Sequence, residues 1–202
     1  MKYQTVCLIF LLAIYGCATD STADHSKNYE KLDTVTVVDA PDPVAGSYHP
    51  SGRDKIDHGA YLTVLLGCGS CHTNGAFDGS PDLKRALAGS NTGIAFTNPL
   101  GDKYPGIVYP ANITPDIDTG IGRWTDRQIA DAIRAGIGRY RSHRIVTMPW
   151  PGYARLGDDD VDAIVAYLRS IEPINNRVPE EVQPGQRATA PFVYFGVYRS
   201  KQ

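Results

Sequence analysis

Residues 67 to 75 read Gly-Cys-Gly-Ser-Cys-His-Thr-Asn-Gly. Two thiols, Cys68 and Cys71, stand two residues apart, and the imidazole of His72 follows the second directly. Three chemistries use such a group: a dithiol that cycles to a disulfide, half of a zinc site, and the clamp of a covalently bound haem. A structural zinc site takes four ligands, usually as two pairs. No second cysteine pair follows, and His25, His49, His58 and His143 show no partner spacing. A redox C-x-x-C belongs at the end of a strand, opening a helix within a βαβ pattern. Here the motif follows a helical segment, and no such alternation is visible. A haem needs two thiols to add across its vinyl groups and a histidine held beneath the iron, which C-x-x-C-H supplies. The sequence thus points to one covalently attached haem c, with Cys68 and Cys71 as its thioether positions and His72 as an iron ligand.

Iron held by one imidazole calls for a sixth ligand. Beyond the initiator, the chain has a single methionine, Met148, set in Arg-Ile-Val-Thr-Met-Pro-Trp-Pro-Gly-Tyr. A thioether flanked by proline suits the open face of a haem, although methionine also fills cores. The main competitor is His143, whose imidazole would give a lower potential than histidine–methionine ligation. The propionates need donors, and Trp124, Arg139, Arg141 and Arg144 are the candidates. A solvated basic face explains those arginines equally well. With both axial positions filled, the iron has no site for a substrate, so the chain reads as an electron carrier and not an enzyme.

Three helical segments must position these groups. The first runs from about Asp54 to Leu66, with Ile56, Ala60, Tyr61, Val64 and Leu65 predicted on its buried face. The second opens at Thr125, where Thr125 and Gln128 form a capping-box pattern, and Ile129, Ile133 and Ile137 recur every four residues until Gly136 and Gly138 end it. The third, Asp158 to Ile171, has three aspartates in its first turn and a stripe of Val161, Ile164, Val165, Leu168 and Ile171. Between the first two lies a long stretch rich in glycine, proline and asparagine, which needs something to wrap around; that something is expected not to be protein. With 20 glycines and 14 prolines, the composition favours short helices and long loops.

The amino terminus, Met-Lys-Tyr-Gln-Thr-Val-Cys-Leu-Ile-Phe-Leu-Leu-Ala-Ile-Tyr-Gly-Cys, has a positive start and an apolar run too short to span a bilayer. Its end resembles a bacterial lipobox, in which Cys17 would be diacylated and become the new terminus. Loss of Lys2 with the leader would take the formal charge from −2 to −3, so no basic excess suggests nucleic acid. The expected organisation is a lipoprotein signal peptide over 1–17, a polar tether over 18–50, a haem domain over 51–173 and a carboxy-terminal extension over 174–202. The extension ends in an aromatic cluster, Phe192, Tyr194, Phe195 and Tyr198, able to fold back on the domain or to meet a partner.

Cys-Gly-Ser-Cys-His, then Asn-Ile-Thr-Pro-Asp at 112–116 with Thr-Gly-Ile-Gly-Arg-Trp at 119–124, then Met-Pro-Trp at 148–150, together resemble a class I cytochrome c. More narrowly, they are similar to the cytochrome c subunits of membrane-bound bacterial alcohol and gluconate dehydrogenases. The resemblance covers about residues 54 to 172. It implies an all-α fold of few helices around one haem, the first and last crossing near Gly59 and Tyr167. It implies the ligand set His72 and Met148, and places His143 where this subgroup often has a histidine. Those subunits often carry three haem motifs and a carboxy-terminal anchor, whereas this chain carries one motif and an amino-terminal lipobox. The function expected is a lipid-tethered, single-haem carrier on the periplasmic side of a bacterial membrane. It would pass electrons between a dehydrogenase or quinol-oxidising complex and an oxidase or reductase. The alternatives are a fixed haem subunit of a dehydrogenase and a haem-based gas sensor. Six arginines between Arg123 and Arg144, against Asp126 and Asp131, suggest an acidic docking partner.

Overall fold

Helix α1 (Gly52–Leu65) closes where Leu66 N–H donates to the Leu62 carbonyl at 2.8 Å and Gly67 N–H to that of Val64 at 3.0 Å. The short helix α2 (Cys68–His72) begins at the next residue, so the cysteines ride directly on the end of α1. The computed structural model describes residues 29–31, 51–138, 147–196 and 198–200.

What fixes α1 is its crossing with α5 (Asp158–Ser170). A Cβ on Gly59 would lie 1.9 Å from the Ala163 carbonyl oxygen and 2.9 Å from the Tyr167 Cβ, so the two backbones meet with no room for a side chain. The expected crossing at Gly59 and Tyr167 is therefore present. The face of α1 is not the predicted one. Gly59, Leu62 and Thr63 are buried, while Tyr61, Val64 and Leu65 are 61, 80 and 62% exposed. A glycine makes the closest approach, and hydrophobicity does not register a glycine; the arc centred on it turns the apolar residues at 61, 64 and 65 outward.

Helix α3 (Asp126–Ala135) has both halves of the predicted capping box: Gln128 N–H donates to Thr125 Oγ1 at 3.2 Å and Thr125 N–H to Gln128 Oε1 at 2.8 Å. Ile129 and Ile133 are buried, whereas Ile137 falls beyond the Gly136 cap and is half-buried. Helix α4 (Trp150–Tyr153) is a single turn. Leu62, Leu87, Ile121, Ile129, Ile133, Val161, Ile164, Val165 and Leu168 form the main core, with Cys68, Trp124 and Tyr153 packed against it.

An all-α architecture is not what the chain adopts. Strand β2 (Gly93–Ala95) pairs antiparallel with β3 (Ile107–Val108) and parallel with β4 (Phe192–Tyr194), in the order β3-β2-β4. Ile94 faces Val108 on one side and Val193 on the other. Ala95, Ile107 and Tyr109 make a second core with Val178, Val182, Ala188, Ala190 and Tyr194. The long stretch after the cysteines thus wraps partly around protein, since the carboxy-terminal segment supplies a strand and half a core. Buried backbone amides need partners, and strand pairing provides them where the sequence has no helical period. Strand β1 (Tyr29–Lys31) pairs antiparallel with β5 (Tyr198–Ser200), in a unit distinct from residues 51–196. Among the described residues, no helix is long and apolar enough to cross a membrane.

Candidate functional site

His72 is the last residue of α2, and its position is set from two sides. Its backbone carbonyl accepts from Gly89 N–H at 2.8 Å, and its ring Nδ1 lies 2.7 Å from the Ala111 carbonyl oxygen. A carbonyl can only accept, so Nδ1 carries the proton and donates. Nε2 is then the nitrogen with a lone pair, the form in which histidine binds a metal. Removal from water pulls the His72 imidazole below its usual range, against the opposing pull of the Ala111 hydrogen bond. A neutral ring near pH 7 follows, suited to coordination.

Cys68 and Cys71 are free, half-buried thiols. Burial, partly offset by a backbone hydrogen bond and reinforced by the neighbouring Cys71, pushes the Cys68 thiol up to about 11. Burial also raises Cys71. A redox-active C-x-x-C needs the reverse, a thiol depressed toward neutrality. Among the described residues, no three or more histidine, cysteine, aspartate or glutamate side chains are grouped as a metal site. Two free thiols in one turn with an imidazole whose Nε2 is unprotonated fit a covalently held haem.

The methionine side joins the cysteine side through α4. Met148 is half-buried, and its carbonyl accepts from Trp150 N–H at 2.8 Å. Trp150 is buried, with its indole against the end of α3: a Cβ on Gly136 would meet Trp150 Cδ1 at 2.6 Å. Three residues on, the Tyr153 hydroxyl donates to the Leu66 carbonyl at 2.7 Å, just ahead of Cys68. Burial first, then the two nearby cysteines, pushes the Tyr153 phenol up to about 12. The turn that carries Met148 is thereby tied to the chain entering Cys68. Sequence reasoning missed Tyr153; its signal was an aromatic polar residue five positions after the methionine. It also missed the Ala111 carbonyl, which has no signature because it is backbone.

Trp124 is half-buried against the main core, and its carbonyl accepts from the Arg169 guanidinium. Cys17, Arg139, Arg141, His143 and Arg144 lie outside the described residues.

Five helices among the described residues, with a C-x-x-C-H turn on the end of the first, make a cytochrome c architecture, and the chain belongs to that family: the cytochrome c family model matches residues 56–172. The chain is similar to the fructose dehydrogenase cytochrome subunit of Gluconobacter japonicus, with 35% identity over 144 residues, 71% of this chain and 26% of that protein. It is similar also to the alcohol dehydrogenase (quinone) cytochrome c subunit of Gluconobacter oxydans, with 34% identity over 140 residues, 67% of this chain and 26% of that one. The gluconate 2-dehydrogenase cytochrome c subunit of Pantoea cypripedii is 31% identical over 120 residues, 59% and 24% of the two chains. The chain spans about a quarter of the length of these relatives.

Proposed function

We propose that this chain is a single-haem electron carrier that exchanges electrons with a dehydrogenase on the periplasmic side of a bacterial membrane, tethered there through lipid on Cys17. The observation that carries the reading is the α2 turn: two free thiols and an imidazole whose Nδ1 is committed to the Ala111 carbonyl. Cys68 and Cys71 would hold haem c by thioether bonds, and His72 Nε2 and the Met148 sulfur would ligate its iron. The haem supplies one-electron chemistry between the ferrous and ferric states. The protein sets the potential: a thioether and an apolar surround favour ferrous iron, because sulfur is soft and burial disfavours the extra ferric charge. Trp124, Arg139 and Arg141 serve the propionates.

The domain organisation that fits this role is a signal peptide over 1–17, a tether over 18–50 and a haem domain over 51–173, extended by residues 174–202. A second reading, a fixed haem subunit of a dehydrogenase complex, is favoured by the relatives, which are themselves subunits of fructose, alcohol and gluconate dehydrogenases. Gentle detergent extraction of membranes separates the two. A haem protein released alone supports the carrier, and one that copurifies stoichiometrically with a catalytic chain supports the subunit. The weak near-infrared sulfur-to-iron band tests the axial pair. It should be present in the unsubstituted oxidised protein, vanish in Met148→Ala and survive in His143→Ala; its absence from the unsubstituted protein would remove Met148 as the ligand and leave the place to His143.

A further inference from the structure

The segment that follows α5 runs back behind His72. Asn112, 2% exposed, is the hub there. Its Nδ2 donates to the Ile174 carbonyl at 2.7 Å and to Thr119 Oγ1 at 3.0 Å. Its Oδ1 accepts from the Thr114 N–H at 3.0 Å and the Thr114 hydroxyl at 2.8 Å. Both donors and both acceptor sites of this amide are therefore used. The Ile174 N–H donates to Thr114 Oγ1 at 3.1 Å, and the Asn176 N–H to Thr119 Oγ1 at 2.9 Å. The Asn176 side-chain amide donates to the Ala88 carbonyl at 2.7 Å.

This network is chained to the proximal ligand by one peptide unit. Ala111, whose carbonyl accepts from His72 Nδ1–H, immediately precedes Asn112. Gly89, whose N–H holds the His72 carbonyl, leaves no slack between them. A Cβ there would lie 2.5 Å from Val178 Cγ1, 2.8 Å from the Asn112 nitrogen and 3.0 Å from the Ala111 carbonyl carbon, and its φ of +88° also demands glycine. Residues 174–178, the Asn112 turn and Gly89 thus press together directly behind the Ala111 carbonyl.

We propose that residues 174–178 are a positioning brace for the proximal histidine. Through Asn112 they hold the Ala111 carbonyl on His72 Nδ1–H and so tune the potential of the haem. The inference rests on the reading of His72 as the iron ligand. Its physical content is the outer-shell hydrogen bond: a carbonyl pulling on Nδ1–H makes the ring a stronger ligand and favours ferric iron. Loosening the carbonyl weakens that donation and raises the potential.

The test uses the haem-loaded protein and three substitutions. Asn112→Ala removes the hub. Thr114→Val is nearly isosteric and takes away one acceptor, for the Ile174 N–H, and one donor, to Asn112 Oδ1; Thr114→Ser keeps both. The potential is read by spectroelectrochemistry, and exchange of the His72 Nδ1 proton with deuterium by NMR. Asn112→Ala and Thr114→Val should raise the potential and speed that exchange at least tenfold, with Thr114→Ser restoring both. If Asn112→Ala fails to load haem, the two Thr114 variants decide. An unchanged potential and exchange rate in a folded, haem-loaded Thr114→Val overturns the brace and leaves the haem reading intact. Absence of covalent haem from the unsubstituted chain overturns the haem reading itself.

Discussion

Replacing Gly59 by alanine puts a methyl group where α1 and α5 touch. The added Cβ would stand 1.9 Å from the Ala163 carbonyl oxygen and 2.5 Å from its carbon. Ordinary carbon–oxygen contacts begin at about 3.3 Å, so relief requires the crossing to open by roughly 1.4 Å. Neither blocking atom can rotate away, because both are backbone in the middle of α5. Overpacking of this kind costs about 1–3 kcal/mol, and backbone atoms on the receiving side place it at the upper end. Alanine in place of glycine inside a helix returns about 0.5–1 kcal/mol. The net expectation is a loss of about 2 kcal/mol. With a urea dependence of about 2 kcal/mol per molar, the unfolding midpoint followed by far-UV circular dichroism falls by about 1 M. Gly152→Ala is the control, since nothing lies within 4 Å of its Cβ; its midpoint should stay within the scatter of surface substitutions, about 0.5 kcal/mol. Equal or greater stability in Gly59→Ala would refute the backbone-on-backbone crossing and the buried face assigned to α1.

Two further outcomes follow from named contacts. Arg134 reaches from α3 to the Leu156 carbonyl at 2.8 Å and to the exposed Asp158 at 2.8 Å. Arg134→Met keeps the packing stem but orphans the carbonyl, so a loss of about 1 kcal/mol is expected. Calorimetry should register it as a Tm about 2–4 °C lower, while Asp158→Ala should be near neutral because an exposed pair contributes little. Asp116 accepts from the Thr119 hydroxyl at 2.6 Å, the Thr119 N–H at 2.7 Å and the Asp118 N–H at 3.2 Å, and these bonds hold its carboxyl below the usual range. A depressed carboxylate adds stability above its unfolded value of about 3.9, and that stability is lost as pH falls through the lower folded value. Asp116→Ala should therefore flatten the acid limb of stability below about pH 4, read by urea titrations at stepped pH; an unchanged limb would discount these hydrogen bonds.

The sequence carried the parts of this molecule that are local. Helices α3 and α5 were legible because Thr125 with Gln128, and three aspartates ahead of a five-residue apolar stripe, announce themselves within a few positions. The α2 turn was legible for the same reason: two thiols and an imidazole fall within five residues. What was hidden is non-local or backbone. Strands of two or three residues have no measurable alternation, and β4 lies almost a hundred positions from its partner β2. Gly59 decides which face of α1 is buried, yet the eye reads Tyr61, Val64 and Leu65. The His72 Nδ1 hydrogen bond ends on the carbonyl of an alanine, which any residue could supply. The carboxy-terminal aromatic run left open whether it folds back or meets a partner; Phe192 to Tyr194 fold back, as β4.

Covalent attachment at the α2 turn is tested most directly by mass spectrometry of the peptide spanning Cys68 to His72. Produced with a working haem-maturation apparatus and extracted with acidified acetone, the protein should stay red, and that peptide should carry the mass of one haem on its two sulfurs. A colourless peptide with two alkylatable thiols would contradict it.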